Sequence, residues 1–268
     1  MKTLLRILAS VAVSVALAVA GLAVVRSFAP AAWLRANNEV AGNYLQTLGT
    51  IYAVLLAFVV FVVWQQFNDA RNSVESEANE ISDLDRILQG FPDPTRSHVR
   101  GHLNAYVQAV VVEEWRRMGK GEHSRSAERA LEEIWLALEV WEPTTQREQH
   151  LFGEALARYN DLSDARTHRL LASKVRLPST MWGLLVADGA LTIGSMWLFW
   201  LESFAAHALM TSALAGSIAF ILYVVADLDN PFWGDWVISC DPIRQSLERR
   251  LDPASREGEE RHGEGKAA

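Results

Sequence analysis

Cysteine occurs once in this 268-residue chain, at Cys240. That excludes an internal disulfide and a zinc site built on several cysteines. Positive charge is scarce: 25 Lys and Arg face 32 Asp and Glu, for a formal net charge of −7. Nothing in that balance argues for a nucleic-acid partner. Catalytic motifs are missing too. There is no phosphate loop, no GxSxG, no HExxH and no GxGxxG after a strand, and no stretch carries a strand pattern. The chain is therefore not expected to be an enzyme, to have catalytic residues or to need a cofactor.

What the chain does have is long apolar runs. It is 50% hydrophobic yet 21% charged, too apolar for an ordinary soluble domain and too charged for an all-membrane protein. Membrane helices plus a solvated part of similar size fit that mixture. The central run is Leu48–Trp64, inside Asn43–Arg71, and charge begins only at Asp69. At 1.5 Å per residue, the ~20 residues from Leu45 to Trp64 match a hydrocarbon core of roughly 30 Å. Lipid offers the backbone no hydrogen bonds, so a run of this length reads as a spanning helix. Trp33, Trp64, Trp182, Trp197, Trp200, Trp233 and Trp236 flank apolar runs, where amphipathic rings form an aromatic belt. Trp115, Trp135 and Trp141 read as core residues of the solvated part.

The chain starts with Lys2 and Arg6 and an apolar run, 7–25. Two readings compete there. One is a retained first transmembrane helix, which we prefer on the length of the run. The other is a secretory signal with a small-residue site at Ala18-Val19-Ala20. Both leave the loop 26–42 outside. The second transmembrane helix, 45–67, returns the chain to the cytoplasm. The helix then continues, with Val74, Ala78, Ile81, Leu84 and Leu88 on one face and Glu75, Glu77, Glu80, Asp83 and Asp85 elsewhere. Asp93-Pro94 opens a helix with Leu103, Tyr106, Val107, Val110 and Val111 inward, ended by Gly119 and Gly121. Ser126–Trp141 is the next, with Leu131, Ile134, Trp135 and Leu138 inward. Thr145 and Glu148 form a capping box for the last, which turns Leu151, Phe152, Ala155, Leu156, Tyr159 and Leu162 inward. Residues 68–177 therefore read as a cytoplasmic four-helix bundle.

Pro178 marks the return to the membrane. Runs 181–201 and 207–226 give a third and a fourth transmembrane helix in a tight hairpin, so 178–227 is a second membrane segment. Residues 228–268 read as a cytoplasmic turn and a mostly disordered tail, with Arg256–Ala268 disordered. The fold expected is an all-α membrane protein: four transmembrane helices, with the bundle inserted between the second and third. Lys2, Arg6, Arg71, Arg166, Arg169, Lys174, Arg176 and Arg244 fall on one side, and Arg26 and Arg35 on the other. The positive-inside bias then places both termini and the bundle in the cytoplasm, on a multi-pass protein of the cell's inner membrane.

Few side chains stand out as sites. Asp188 lies within the third apolar run, where a carboxylate needs protein, water or a partner. It lines a cavity or takes part in gating, or else it is a capped structural carboxylate, protonated or hydrogen-bonded to a neighbouring hydroxyl. Thr50, Val54 and Phe58 lie four apart on the second helix, and Ile51, Leu55 and Val62 on an adjacent face. Either stripe suits generic packing. Repeated by symmetry, one such stripe makes a hydrophobic constriction that gates by dewetting. Asp227, Asp229, Asn230 and Asp235 could hold a cation through oxygen ligands, though a helix stop with solvated acids is the simpler reading. His98 and His102, four apart on a helix, could share a metal. No acid lies beside them and Gly101 weakens the turn, so a solvated surface is preferred and no metal site is assigned.

Leu48-Gly49, Tyr52, Leu55-Leu56-Ala57-Phe58, Trp64-Gln65-Gln66-Phe67, Glu77-Ala78 within Ala70–Leu84, and Asp229–Gly234 together resemble the bestrophin-like domain family. These are bacterial and plant relatives proposed to share the bestrophin channel architecture. The last stretch is similar to a bestrophin Asn-Pro-Phe-Gly sequence that precedes an acidic calcium clasp. Here Trp233 stands before the glycine, and Asp235-Trp236 follows it in place of an acid run. The resemblance covers roughly 43–90 and 175–245. It implies an ion channel that is a homo-oligomer, a pentamer if the family pattern holds. Thr50, Val54 and Phe58 would line the neck, and passive conduction would favour anions. The Asp188 and Asp227 carboxylates, multiplied by symmetry, would as easily favour cations. The partners expected are other copies of the chain, the bilayer and inorganic ions. The rival reading is a non-conducting membrane scaffold or sensor whose bundle binds a cytoplasmic partner. A secondary transporter would show inverted repeats and broken helices, and neither is visible.

Overall fold

A computed structural model describes residues 2–251, with side chains over 3–246. Among the described residues there is no strand. The helices are α1 (Lys2–Phe28), α2 (Ala31–Ala36), α3 (Asn38–Leu88), α4 (Thr95–Ala109), α5 (Trp115–Met118), α6 (Arg125–Glu139), α7 (Gln146–Ala172), α8 (Ser179–Met196), α9 (Phe204–Leu228) and α10 (Asp241–Leu251). A π-helical turn, Val110–Glu114, joins α4 to α5. The chain divides into two compact units, Met1–Gln65 with Arg176–Asp229, and Gln66–Val175 with Asn230–Ala268.

In the first unit, α1 packs along α9 and α8. Small residues permit this. A Cβ on Gly216 would already touch Val11 and Val15, and one on Gly21 would run into the Trp197 ring. The Trp197 indole donates to the Ala18 carbonyl at 3.0 Å. That bond explains one departure from expectation. The apolar run suggested a helix to Leu201, but α8 stops at Met196, and Trp197–Leu201 form a packed connection. Trp200 N–H donates to Asn38 Oδ1 at 2.9 Å, and Asn38 Nδ2 returns a bond to the Trp200 carbonyl at 3.1 Å. The Arg26 guanidinium lies 4.3 Å over the Trp200 ring and donates to the Glu202 carbonyl, while Arg35 pairs with the Glu202 carboxylate at 3.6 Å. The end of α1, the start of α3 and the α8–α9 connection therefore meet at one end of this unit. The expected loop 26–42 is also partly helical: α2 occupies it, and α3 begins at Asn38.

The second unit has a conventional apolar core. Val74, Ile81, Leu84 and Leu88 of α3 pack with Val99, Leu103 and Val107 of α4, Ile134 and Leu138 of α6, and Ala155 and Leu162 of α7. The capping box at Thr145 and Glu148 is present. Ser124 caps α6 by accepting from Ser126 and Ala127 N–H. Trp135, expected inward, is exposed at 37%, although its ring still meets Tyr159. The tail after residue 228 also departs from expectation. Ile243 is fully buried, so α10 has an apolar anchor in the core. Arg256–Ala268 lie outside the described residues.

The largest correction concerns charge. Glu77 and Asp85, read as part of the polar face of α3, are buried. Arg169 is fully buried and bridges two carboxylates: its Nε and Nη2 donate to Glu77, and Nη2 donates to Glu114 Oε1 at 2.8 Å. Arg166 donates to Glu114 Oε2 at 2.7 Å, and the Tyr106 hydroxyl donates to Glu77 Oε1 at 2.6 Å. Ser124 N–H completes Glu114 at 2.9 Å. Burial alone would raise the Glu114 carboxyl, but Arg169 and Arg166 hold it below the usual carboxylate range. Burial and the adjacent Glu77 keep the Tyr106 phenol well above its ordinary value, so it stays a donor. The π turn adds one residue to the helical repeat and carries Glu114 within reach of both arginines. Two carboxylates and two guanidiniums, each hydrogen-bonded, make a neutral set that tolerates burial. Removing one member strands the rest. Arg169→Met should destabilise this unit by about 3–5 kcal/mol, whereas Arg158→Met, which breaks part-exposed pairs, should cost about 1 kcal/mol or less. Tryptophan-fluorescence unfolding of the detergent-solubilised protein checks the ranking.

Candidate functional site

The site is built on the first half of α3. Among the described residues, three helices are long and apolar enough to cross a membrane by length and composition: Thr3–Phe28, Asn38–Leu88 and Phe204–Leu228. The span of α3 has two distinct sides. Tyr52, Leu56, Val59 and Val63 recur at helical spacing and are buried against the chain's own residues. Thr50, Val54 and Phe58 are exposed, Val54 at 68% and Phe58 at 57%. The Thr50 hydroxyl is turned back onto its own helix, donating to the Gln46 carbonyl at 2.8 Å. Its polar demand is thereby met within the helix. The neighbouring stripe is mixed, with Ile51 exposed and Leu55 half-buried. Thr50 and Val54 border an open, mostly apolar groove of about 710 Å³, whose other walls are Thr192 and Met196 of α8 and Met210 and Leu214 of α9. Phe58 lies beyond it.

The inward side of α3 is fixed by a close approach. The Tyr52 hydroxyl lies where a side chain on Gly189 would be, 3.0 Å from an ideal Cβ, with Ile218 of α9 also in contact. Only glycine lets α8 come this close to a tyrosine. Asp188, the next residue, is half-buried and near enough to act electrostatically on Tyr52. It is not part of the groove wall. The sequence marks Gly189, with Gly194, Ser195, Ala213 and Gly216, as small residues that let helices approach closely, but it does not name Tyr52 as the partner of Gly189.

The four cation-site candidates at and after the end of α9 have separate surroundings. Asp229 is buried, accepting from Leu177 N–H at 2.7 Å and the Trp182 indole at 3.4 Å. It ties the end of α9 to the start of α8. Asp227 lies half-buried in the last turn of α9. Asn230 Nδ2 donates to the Gly119 carbonyl at 3.4 Å. Asp235 is half-buried after Gly234, whose φ of 135° is one that favours glycine. Among the described residues, no three His, Cys, Asp or Glu side chains form a group that could hold a metal.

Membrane-length apolar helices and a small-residue seam that leaves one helix face uncovered define a class: an all-helical integral membrane protein. Residues 12–243 match the bestrophin-like domain, and the chain belongs to that family. The fold is shared with solved structures at low identity. A variant of a bacterial bestrophin homolog from Klebsiella pneumoniae is 13% identical, with a TM-score of 0.68, covering 92% of this chain and 97% of that one. Another variant of that homolog is 14% identical, with a TM-score of 0.68 and coverage of 94% and 98%. A structure described only as a membrane protein is 14% identical, with a TM-score of 0.67 and coverage of 92% and 97%. Among curated proteins nothing matches the chain.

The glycine seam is open to test. Gly189→Val should lower the unfolding free energy by about 1–3 kcal/mol through overpacking. Gly183→Val on the same helix, with nothing near its Cβ position, should change it little. Tyr52→Phe should recover part of the Gly189→Val loss, as read from thermal unfolding in detergent.

Proposed function

We propose that the protein is an oligomeric ion channel of the bestrophin-like kind, passively conducting ions through a pore lined by the exposed face of α3. The observation that carries this reading is the two-sidedness of that helix. Tyr52, Leu56, Val59 and Val63 satisfy the chain's own packing, and Thr50, Val54 and Phe58 are left without it. Around a symmetry axis, rings of valine and phenylalanine give a narrow apolar constriction that opens by wetting. Family membership and the shared fold support the same reading.

The meeting of chain ends supports four crossings. Arg26 after α1, Asn38 at the start of α3, and Trp200 and Glu202 between α8 and α9 gather at one end of the first unit. In this reading each of α1, α3, α8 and α9 runs between the same two membrane faces, including α8, which carries Asp188 and is not among the three helices long and apolar enough by length and composition alone. The positive-inside bias of the basic residues supports a cytoplasmic second unit on a protein of the inner membrane. The chain assembles with further copies of itself, in a pentamer by family analogy.

Reconstituted into liposomes, the protein should support ion flux, and Val54→Ala and Phe58→Ala should raise it by widening and wetting the constriction. No flux from any of the three proteins, each shown to be folded and inserted, would sink the channel reading and favour a membrane scaffold whose second unit binds a partner.

A further inference from the structure

We infer that His98 and His102 form a two-histidine site for a borderline divalent cation of the zinc, nickel and copper type, on the first turns of α4. Their Nε2 atoms lie 3.3 Å apart, with the ring planes at 78°. Two imidazole nitrogens bound to one tetrahedral zinc at roughly 2.0–2.1 Å stand about 3.3–3.4 Å from each other, so the pair already has the bite of a chelate. The spacing of four on one helix produces this, because residues i and i+4 lie one above the other. In the metal-free protein one imidazole N–H donates to the bare nitrogen of the other. When a cation binds, the donating imidazole changes tautomer, its proton passing through water to Nδ1, so that both Nε2 lone pairs face the metal.

The surroundings leave room for it. His98 is exposed and His102 half-buried. Both border an open groove of about 670 Å³ with Ser97, Glu133 and Trp141. No third His, Cys, Asp or Glu joins the pair among the described residues, so water fills the remaining coordination positions. Such a site favours nitrogen-seeking cations over magnesium or calcium, which want an oxygen cage. The chelate spans Gly101, a poor helix former with open space around it. Bound metal therefore staples the weakest turn of α4. The inference is independent of whether the protein conducts.

The test is a Cu²⁺ titration of the full-length detergent-solubilised protein, followed by electron paramagnetic resonance. The tightest class of copper should show coupling to two imidazole nitrogens. His98→Ala and His102→Ala should each weaken that class by roughly tenfold or more and leave one coupled nitrogen, while His150→Ala changes neither. Zn²⁺ should raise the thermal midpoint of the wild type and fail to raise that of the double variant. Midpoints measured without metal establish that the variants fold. The same tight copper signal in both single variants, or an equal zinc shift in the double variant, would overturn the site.

Discussion

Lipid gives a peptide group nothing to bond with, and the first unit of this protein is organised by that constraint. Each apolar segment has to close its own backbone hydrogen bonds, so each becomes a helix before any side chain is consulted. Side chains then decide only which faces touch. Between helices, glycine and alanine set the distance. Tyr52 reaches the Gly189 backbone, Trp197 lies against Gly21, and α1 meets α9 at Gly216. A helix that spends one face on these contacts keeps another in reserve, and on α3 the reserved face is the valine and phenylalanine stripe.

The second unit solves the opposite problem. Water satisfies its surface, and its core must instead house the charges that α3 and α7 bring inside. Glu77, Glu114, Arg166 and Arg169 do so as a closed set, with Tyr106 and Ser124 taking up remaining bonding capacity. The π turn is the geometric adjustment that lets Glu114 reach the set. A buried set of this kind ties α3, α4 and α7 into one register more specifically than aliphatic packing does, at little net gain in stability.

The helices were largely legible because helical periodicity is written in the apolar residues. Val74, Ile81, Leu84 and Leu88 mark the core face of α3, and the Thr145–Glu148 box marks the start of α7. The charged core was not read, although its signal was present. Glu77 sits three residues after Val74 and four before Ile81, on the same face, and Arg169 follows Leu162 and Ala165 at helical spacing. A charge on an apolar face announces a buried partner, but the partners lie 92 and 55 residues away, and no local pattern names them. The end of α8 was misread for a related reason. Trp197–Leu201 are as apolar as a helix interior, yet they are used in a turn pinned by Asn38 and Ala18. The Thr50, Val54 and Phe58 stripe was visible as spacing. Its exposure had to come from the packing of the opposite face.

If the Thr50, Val54 and Phe58 face of α3 borders the path of ions, a change of charge there must change which ions pass. Val54→Glu and Val54→Lys proteins would be reconstituted in bilayers under a salt gradient and their reversal potentials compared with wild type. A lining residue predicts shifts of opposite sign, toward cations for the glutamate and toward anions for the lysine. Reversal potentials that do not move in either variant, in channels that still conduct, would place the pore elsewhere and contradict the account.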